Sequence, residues 1–133
     1  MNQLDVKYEI SPTVTNKELN RLFANDWDEH TAGDFTSVLS HSLLYVGAYY
    51  ETRLIGYVNV AWDGARHAFI LDTTVDKDFR RRGIGIELVR CAAEAARKRG
   101  VDWLHVDYEP HLKDFYRKCG FRDTAAGLIN LRG

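Results

Sequence analysis

Residues 75–100 read VDKDFRRRGIGIELVRCAAEAARKRG, and this stretch decides the fold. A strand-like run, His67–Val75, leads into it. An amphipathic helix leaves it: Ile84, Leu88, Cys91, Ala92, Ala95 and Ala96 recur at helical spacing and make one apolar face. Between the two lies Arg80-Arg81-Arg82-Gly83-Ile84-Gly85. Glycines here let the backbone turn tightly and leave room for close approach of a ligand. The first amides of the helix have no intrahelical acceptor and face outward with the positive end of the dipole. Three arginines beside such a mouth suit a diphosphate.

Downstream, the helix from about Ile84 to Arg99 carries the exposed pairs Arg90–Glu94 and Glu94–Lys98, each worth about 0.3 kcal/mol. Arg97, Lys98 and Arg99 complement its C-terminal dipole, and Gly100 suits the residue just past its end. Asp102–Asp107 reads as a strand, His111–Cys119 as a short helix ended by Gly120-Phe121, and Leu128–Leu131 as a last short strand. Upstream, Leu43–Glu51 and Leu54–Trp62 are rich in β-branched and aromatic residues, and Thr52-Arg53 joins them as a hairpin. Asp63-Gly64 marks the next turn. Asn16–Asn25 spaces Leu19, Leu22 and Phe23 helically, with Thr15 and Glu18 placed for a capping box. Val6–Ile10 reads as a first strand and Phe35–Leu39 as a short helix. Several antiparallel strands then precede one strand–helix–strand crossover. The pattern predicts a mixed α/β (α+β) sheet flanked by helices, not an alternating dinucleotide-binding array.

The 133 residues fit one domain, 1–133, with a real core. A net charge of −1 gives no global pull toward nucleic acid or an anionic membrane. No apolar run approaches the ~20 residues that span a bilayer. The opening MNQLDVKYEI lacks the basic-then-apolar pattern of a secretion signal, so the expected location is cytoplasmic. Cys91 and Cys119 fit no Cys-x-x-Cys or Cys/His ligand spacing, which predicts reduced thiols and no metal site.

An NTPase phosphate loop needs Lys-Ser/Thr after the last glycine, and none follows Gly85. A dinucleotide site needs a third glycine, and Glu87-Leu88 stands there instead. The segment Val75–Gly85 does resemble the acetyl-CoA signature of the GNAT superfamily of N-acetyltransferases, Arg/Gln-x-x-Gly-x-Gly/Ala. Downstream, Phe115-Tyr116-Arg117-Lys118-Cys119-Gly120-Phe121 resembles that family's aromatic-Tyr-x-x-x-Gly-Phe segment. The two stand in the family's order and separation. The resemblance covers most of 43–133, and the first forty or so residues match only loosely.

The resemblance implies a sheet that is mostly antiparallel, with a central splayed parallel strand pair. It implies acetyl-CoA as cofactor. The pantetheine arm would pair with Thr73, Thr74 and Val75, where a backbone amide would also hold the thioester oxygen. The amides of Arg81, Arg82, Gly83, Ile84, Gly85 and Ile86 would cradle the pyrophosphate, with the side chains of Arg80–Arg82 meeting phosphates or solvent. Tyr116 matches the tyrosine that protonates or orients the leaving thiolate. Relatives often carry Glu-Asp where this chain has Leu71-Asp72, leaving Asp72 as first candidate for the base, with Asp107 and His111 as alternatives. Glu109 stands where relatives often have asparagine, and a carboxylate there would turn toward the acceptor rather than the cofactor.

Between Arg21 and Arg53 there is no lysine or arginine, while Asp26, Asp28, Glu29, Asp34 and Glu51 fall there. An acidic wall would steer a cationic amine, and Trp27, Tyr49, Tyr50, Tyr57 and Trp62 are candidate aromatic walls or sheet-packing residues. The expected acceptor is a small cationic amine, or an amine on a peptide; Asp26, Trp27, Asp107 and Glu109 are candidate acceptor residues. A non-catalytic acyl-CoA sensor of the same fold is the alternative. A nucleic-acid module resting on Arg80–Arg82 and Arg97–Arg99 lacks the interleaved aromatics such surfaces use. Leu128–Leu131 is a candidate strand for pairing across a homodimer.

Overall fold

The structure, a computed structural model, describes residues 5–27 and 30–133. Five strands form one sheet in the order β1-β2-β3-β4-β5: Val6–Ile10, Leu44–Tyr50, Arg53–Trp62, His67–Val75 and Trp103–His105. The first four pair antiparallel and β5 runs parallel to β4. Helices α1 (Asn16–Asp26), α2 (Thr36–His41), α3 (Ile84–Lys98) and α4 (Lys113–Lys118) flank it. The mixed, mostly antiparallel sheet read from the sequence is the one found.

Alternation along the strands sorts the core into two layers. Val46, Ala48, Val58, Val60, Ala68 and Ile70 pack with Ile84, Leu88, Val89, Ala92 and Ala96 of α3. Gly56 lets α3 come close: a Cβ there would stand 2.9 Å from Leu88 Cδ1 and 3.2 Å from Ala48 Cβ. On the other face Leu54 and Tyr57 pack with Leu19, Leu22 and Phe23 of α1. The α1 capping box forms as the sequence implied: Glu18 N–H donates to Thr15 Oγ1 at 3.1 Å, and Thr15 N–H donates to Glu18 Oε1 at 3.0 Å.

Several elements depart from expectation. The expected strand Leu128–Leu131 does not form; Leu128, Ile129 and Leu131 are more than 80% exposed. A strand needs a backbone edge to pair with, and β5 is only three residues long. The strand expected over 102–107 is cut to Trp103–His105 because the chain leaves β4 there. The last helix is split into a 3-10 turn, Pro110–Leu112, and α4. The short second helix begins one residue later than expected, where Asp34 accepts from the Thr36 amide at 3.0 Å.

Candidate active site

Two irregularities in β4 create the site. Asn59 pairs with Leu71 and Tyr57 with Thr74, so Val58 alone opposes both Asp72 and Thr73. This is a β-bulge, and it places Asp72 in the left-handed region at φ 58°. The second irregularity is a splay. β4 and β5 pair only at His67–Trp103, Ala68–Leu104 and Phe69–His105, while β4 runs on to Val75. Past Phe69 the β4–β5 ladder has a gap, and the backbone edge of β4 has no strand partner there among the described residues. A strand edge offers a row of donors and acceptors, and an extended amide-bearing ligand fits it by strand addition.

Tyr116 stands at this gap. It is 7% exposed, and its hydroxyl points to Thr73 Oγ1 at 3.5 Å, the outer limit of a hydrogen bond. Its ring stacks on Tyr108 with centroids 5.0 Å apart and meets Phe115 and Phe121 edge-on. Burial pushes its pKa upward, the Thr73 contact opposes that, and the Asp107 carboxylate adds to it. The hydroxyl thus keeps its proton at neutral pH.

The glycine loop reaches the same gap. Gly83 is the N-cap of α3 at φ 78°, with no side chain to occupy the first-turn amides. Arg81 is also left-handed, at φ 63°. Gly85 serves packing instead, since a Cβ there would press on the Phe115 ring at 3.1 Å; this glycine lets α3 sit against α4. Ile84 is buried in the core and Ile86 half-buried, so both contribute backbone rather than side chain at the mouth. Arg81 and Arg82 are exposed. Arg80 is paired with Asp26, which joins the loop to the end of α1 and neutralises a carboxylate expected to face the acceptor.

Further ties anchor the loop, and the sequence reading missed them. Asp76 is buried; it accepts from Arg53 Nη2 at 2.7 Å and from the Asp78 amide at 2.9 Å. Asn25 accepts from the Lys77 amide at 3.1 Å. Arg53 in turn lies 5.7 Å from the centre of the Phe79 ring. The Asp76-Lys77-Asp78 run was the available signal, since an aspartate readily accepts from the amide two residues on.

On the acceptor side, Asp72 lies at the rim, where partial burial of its carboxyl pushes the pKa above the ordinary value. Its charge reaches Tyr57, whose pKa is raised first by burial and then by Asp72. Asp107 is exposed and near enough to act on Tyr116. Glu109 caps the 3-10 turn through its backbone, with an exposed side chain; His111 lies exposed within that turn. Trp27 stacks flat on Phe23 at 4.3 Å. Asp34 is bound by Thr36 and Asn16, and those bonds lower its pKa to about 2. Glu51 sits in the β2–β3 turn. Asp28 and Glu29 lie outside the described residues. The sheet itself sets Phe69 opposite His105 and leaves Leu71 next to Asp72 along the strand, and the sequence reading made none of these three a site residue. Their odd-numbered alternation within the two strands was the signal.

A splayed parallel strand pair, a glycine loop opening a long helix and a tyrosine at the gap together define an acetyltransferase fold of the GNAT type. The chain belongs to the acetyltransferase (GNAT) family, whose model matches residues 12–121. An uncharacterized N-acetyltransferase, ycf52, of Porphyra purpurea is 28% identical over 129 residues, covering 93% of this chain and 74% of that protein. Glucosamine 6-phosphate N-acetyltransferase 1 of Oryza sativa subsp. japonica is 41% identical over 56 residues, 42% of this chain, and the match spans only 34% of the rice protein. A GNAT-family acetyltransferase of Streptococcus pneumoniae TIGR4 superposes with a TM-score of 0.75 at 22% identity, covering 95% of this chain and 98% of that one. No helix among the described residues is long and apolar enough to cross a membrane.

Proposed function

We propose that the chain transfers an acetyl group from acetyl-CoA to a primary amine of a small molecule, by direct attack in a ternary complex. The observation that carries this reading is the unpaired β4 edge from Ile70 to Val75 with Tyr116 at its mouth. Acetyl-CoA supplies the acyl group as an activated thioester. The residues present suit it: Thr73–Val75 offer backbone to the pantetheine amides, and the amides from Arg81 to Ile86 face the pyrophosphate with no side-chain cap in competition. Arg81 and Arg82 are free to meet the phosphates, since Arg80 is held by Asp26.

An alkylamine is mostly protonated at neutral pH, with a pKa near ~10.4. Asp72 takes a proton from the ammonium, directly or through water, and its raised pKa makes it a better base than an ordinary carboxylate. The amine nitrogen bonds to the acyl carbon, the carbon–sulfur bond breaks, and the nitrogen sheds its second proton to water. Tyr116, held protonated by burial, donates its proton to the departing thiolate and regains one from water.

Release of free thiol from acetyl-CoA, measured against a mixed amine panel, tests the reading. Turnover that falls at least tenfold in Tyr116→Phe, with acetyl-CoA affinity within about twofold, supports it. Tight acetyl-CoA binding with no turnover for any amine would replace it with a non-catalytic acyl-CoA sensor.

A further inference from the structure

We propose that the acceptor amine is carried on an aromatic or branched apolar body, and that Leu71, Phe69 and His105 form the shelf on which that body lies. This rests on the N-acetyltransferase reading and narrows its substrate class. Phe69 and Leu71 are each 40% exposed on the face of β4 that α1 covers elsewhere. Large apolar side chains left open together on a sheet face mark a binding surface. His105 extends the patch across the strand pair: its ring stacks on Phe69 with centroids 4.7 Å apart and planes at 21°. His67 Nδ1 lies 2.9 Å from His105 Nε2 and holds that ring in place. The shelf is thus set before any ligand arrives, which lowers the cost of binding.

Leu71 adjoins Asp72, and Phe69 lies three residues, about 10 Å of strand, behind it. An amine nitrogen at Asp72 would lay a ring attached through a short alkyl arm over Leu71 toward Phe69 and His105. The charges agree. Asp26 is paired with Arg80 and Asp34 with Thr36 and Asn16, so these two carboxylates are spent on internal contacts. Asp72 remains beside the shelf to meet the ammonium head.

The test compares amines with the intact chain, read as thiol release from acetyl-CoA and corrected for the neutral fraction of each amine. For 2-phenylethylamine kcat/KM should exceed that for propylamine about tenfold, the worth of roughly 60 Å² of apolar area removed from water. Phe69→Ala should shrink that ratio to about threefold or less, through KM rather than kcat. Because Phe69 is partly exposed, the variant should fold, which a thermal melt checks, and His105→Ala provides an independent second variant. A wild-type preference for spermidine or an amino sugar, or an unchanged ratio in both variants, would overturn the shelf while leaving the transferase standing. Absence of turnover with every amine would remove both.

Discussion

Asp72→Asn separates what the bulge does for the backbone from what its carboxylate does for chemistry. Asp72 sits at φ 58°, and asparagine enters that region at little cost, so the bulge should persist. Burial raises the Asp72 pKa, so the folded protein holds that proton more tightly than the unfolded chain, whose value is near ~3.9. Stability from this group therefore falls as pH rises through the interval between the two values, and at pH 7 ionised Asp72 is a net cost to folding. The asparagine variant should melt at or above the wild-type temperature at pH 7, and lose that advantage at low pH where the wild-type carboxyl is protonated. Activity should move the other way. Removing a general base typically costs 10²–10⁴-fold, so kcat/KM should fall by at least about 10²-fold at pH 7. The wild-type pH profile should lose activity on the acid side above the ordinary carboxylate range. Asp72→Ala should be less stable than Asp72→Asn by about 1–2 kcal/mol, the left-handed penalty that asparagine escapes. Thermal melts at two pH values and the thiol-release assay supply every number. An asparagine variant that melts well below wild type at pH 7 would mean that the folded chain does not desolvate this carboxyl, and one that turns over within threefold of wild type would mean that Asp72 is not the base.

Asp76→Ala should destabilise by about 2–3 kcal/mol in urea titration, because it strips a buried acceptor from Arg53 and from the Asp78 amide; the figure lies below a fully buried pair since Arg53 is half-exposed. A loss under 0.5 kcal/mol would mean that the tie does not hold the loop. Gly56→Ala should cost about 1–3 kcal/mol, since its Cβ would stand 2.9 Å from Leu88 Cδ1. A chemical melt showing no loss would mean that α3 shifts freely.

Local rules carried much of the fold. The β2–β3 hairpin, the α1 capping box and the apolar stripe of α3 rest on contacts within a few residues, and all were readable in the chain. Leu128–Leu131 was misread because a strand is a relation to a partner edge, which alternation alone does not supply. The shortened β5 has the same origin: its length is set by where β4 stops pairing. At the site, the glycine loop and Tyr116 were visible because their chemistry is written in contiguous residues. The Arg80–Asp26 pair spans 54 positions, and no local pattern announces it. Phe69, Leu71 and His105 read as ordinary strand residues until the sheet showed which face they share and how exposed that face is.

Amide hydrogen exchange, measured residue by residue with and without acetyl-CoA, would show whether the open edge of β4 takes coenzyme A as an added strand. Slowed exchange is expected within Thr73–Val75 and across Arg81–Ile86, with little change along β1. Binding that protects other segments and leaves both of these unchanged would contradict that pairing.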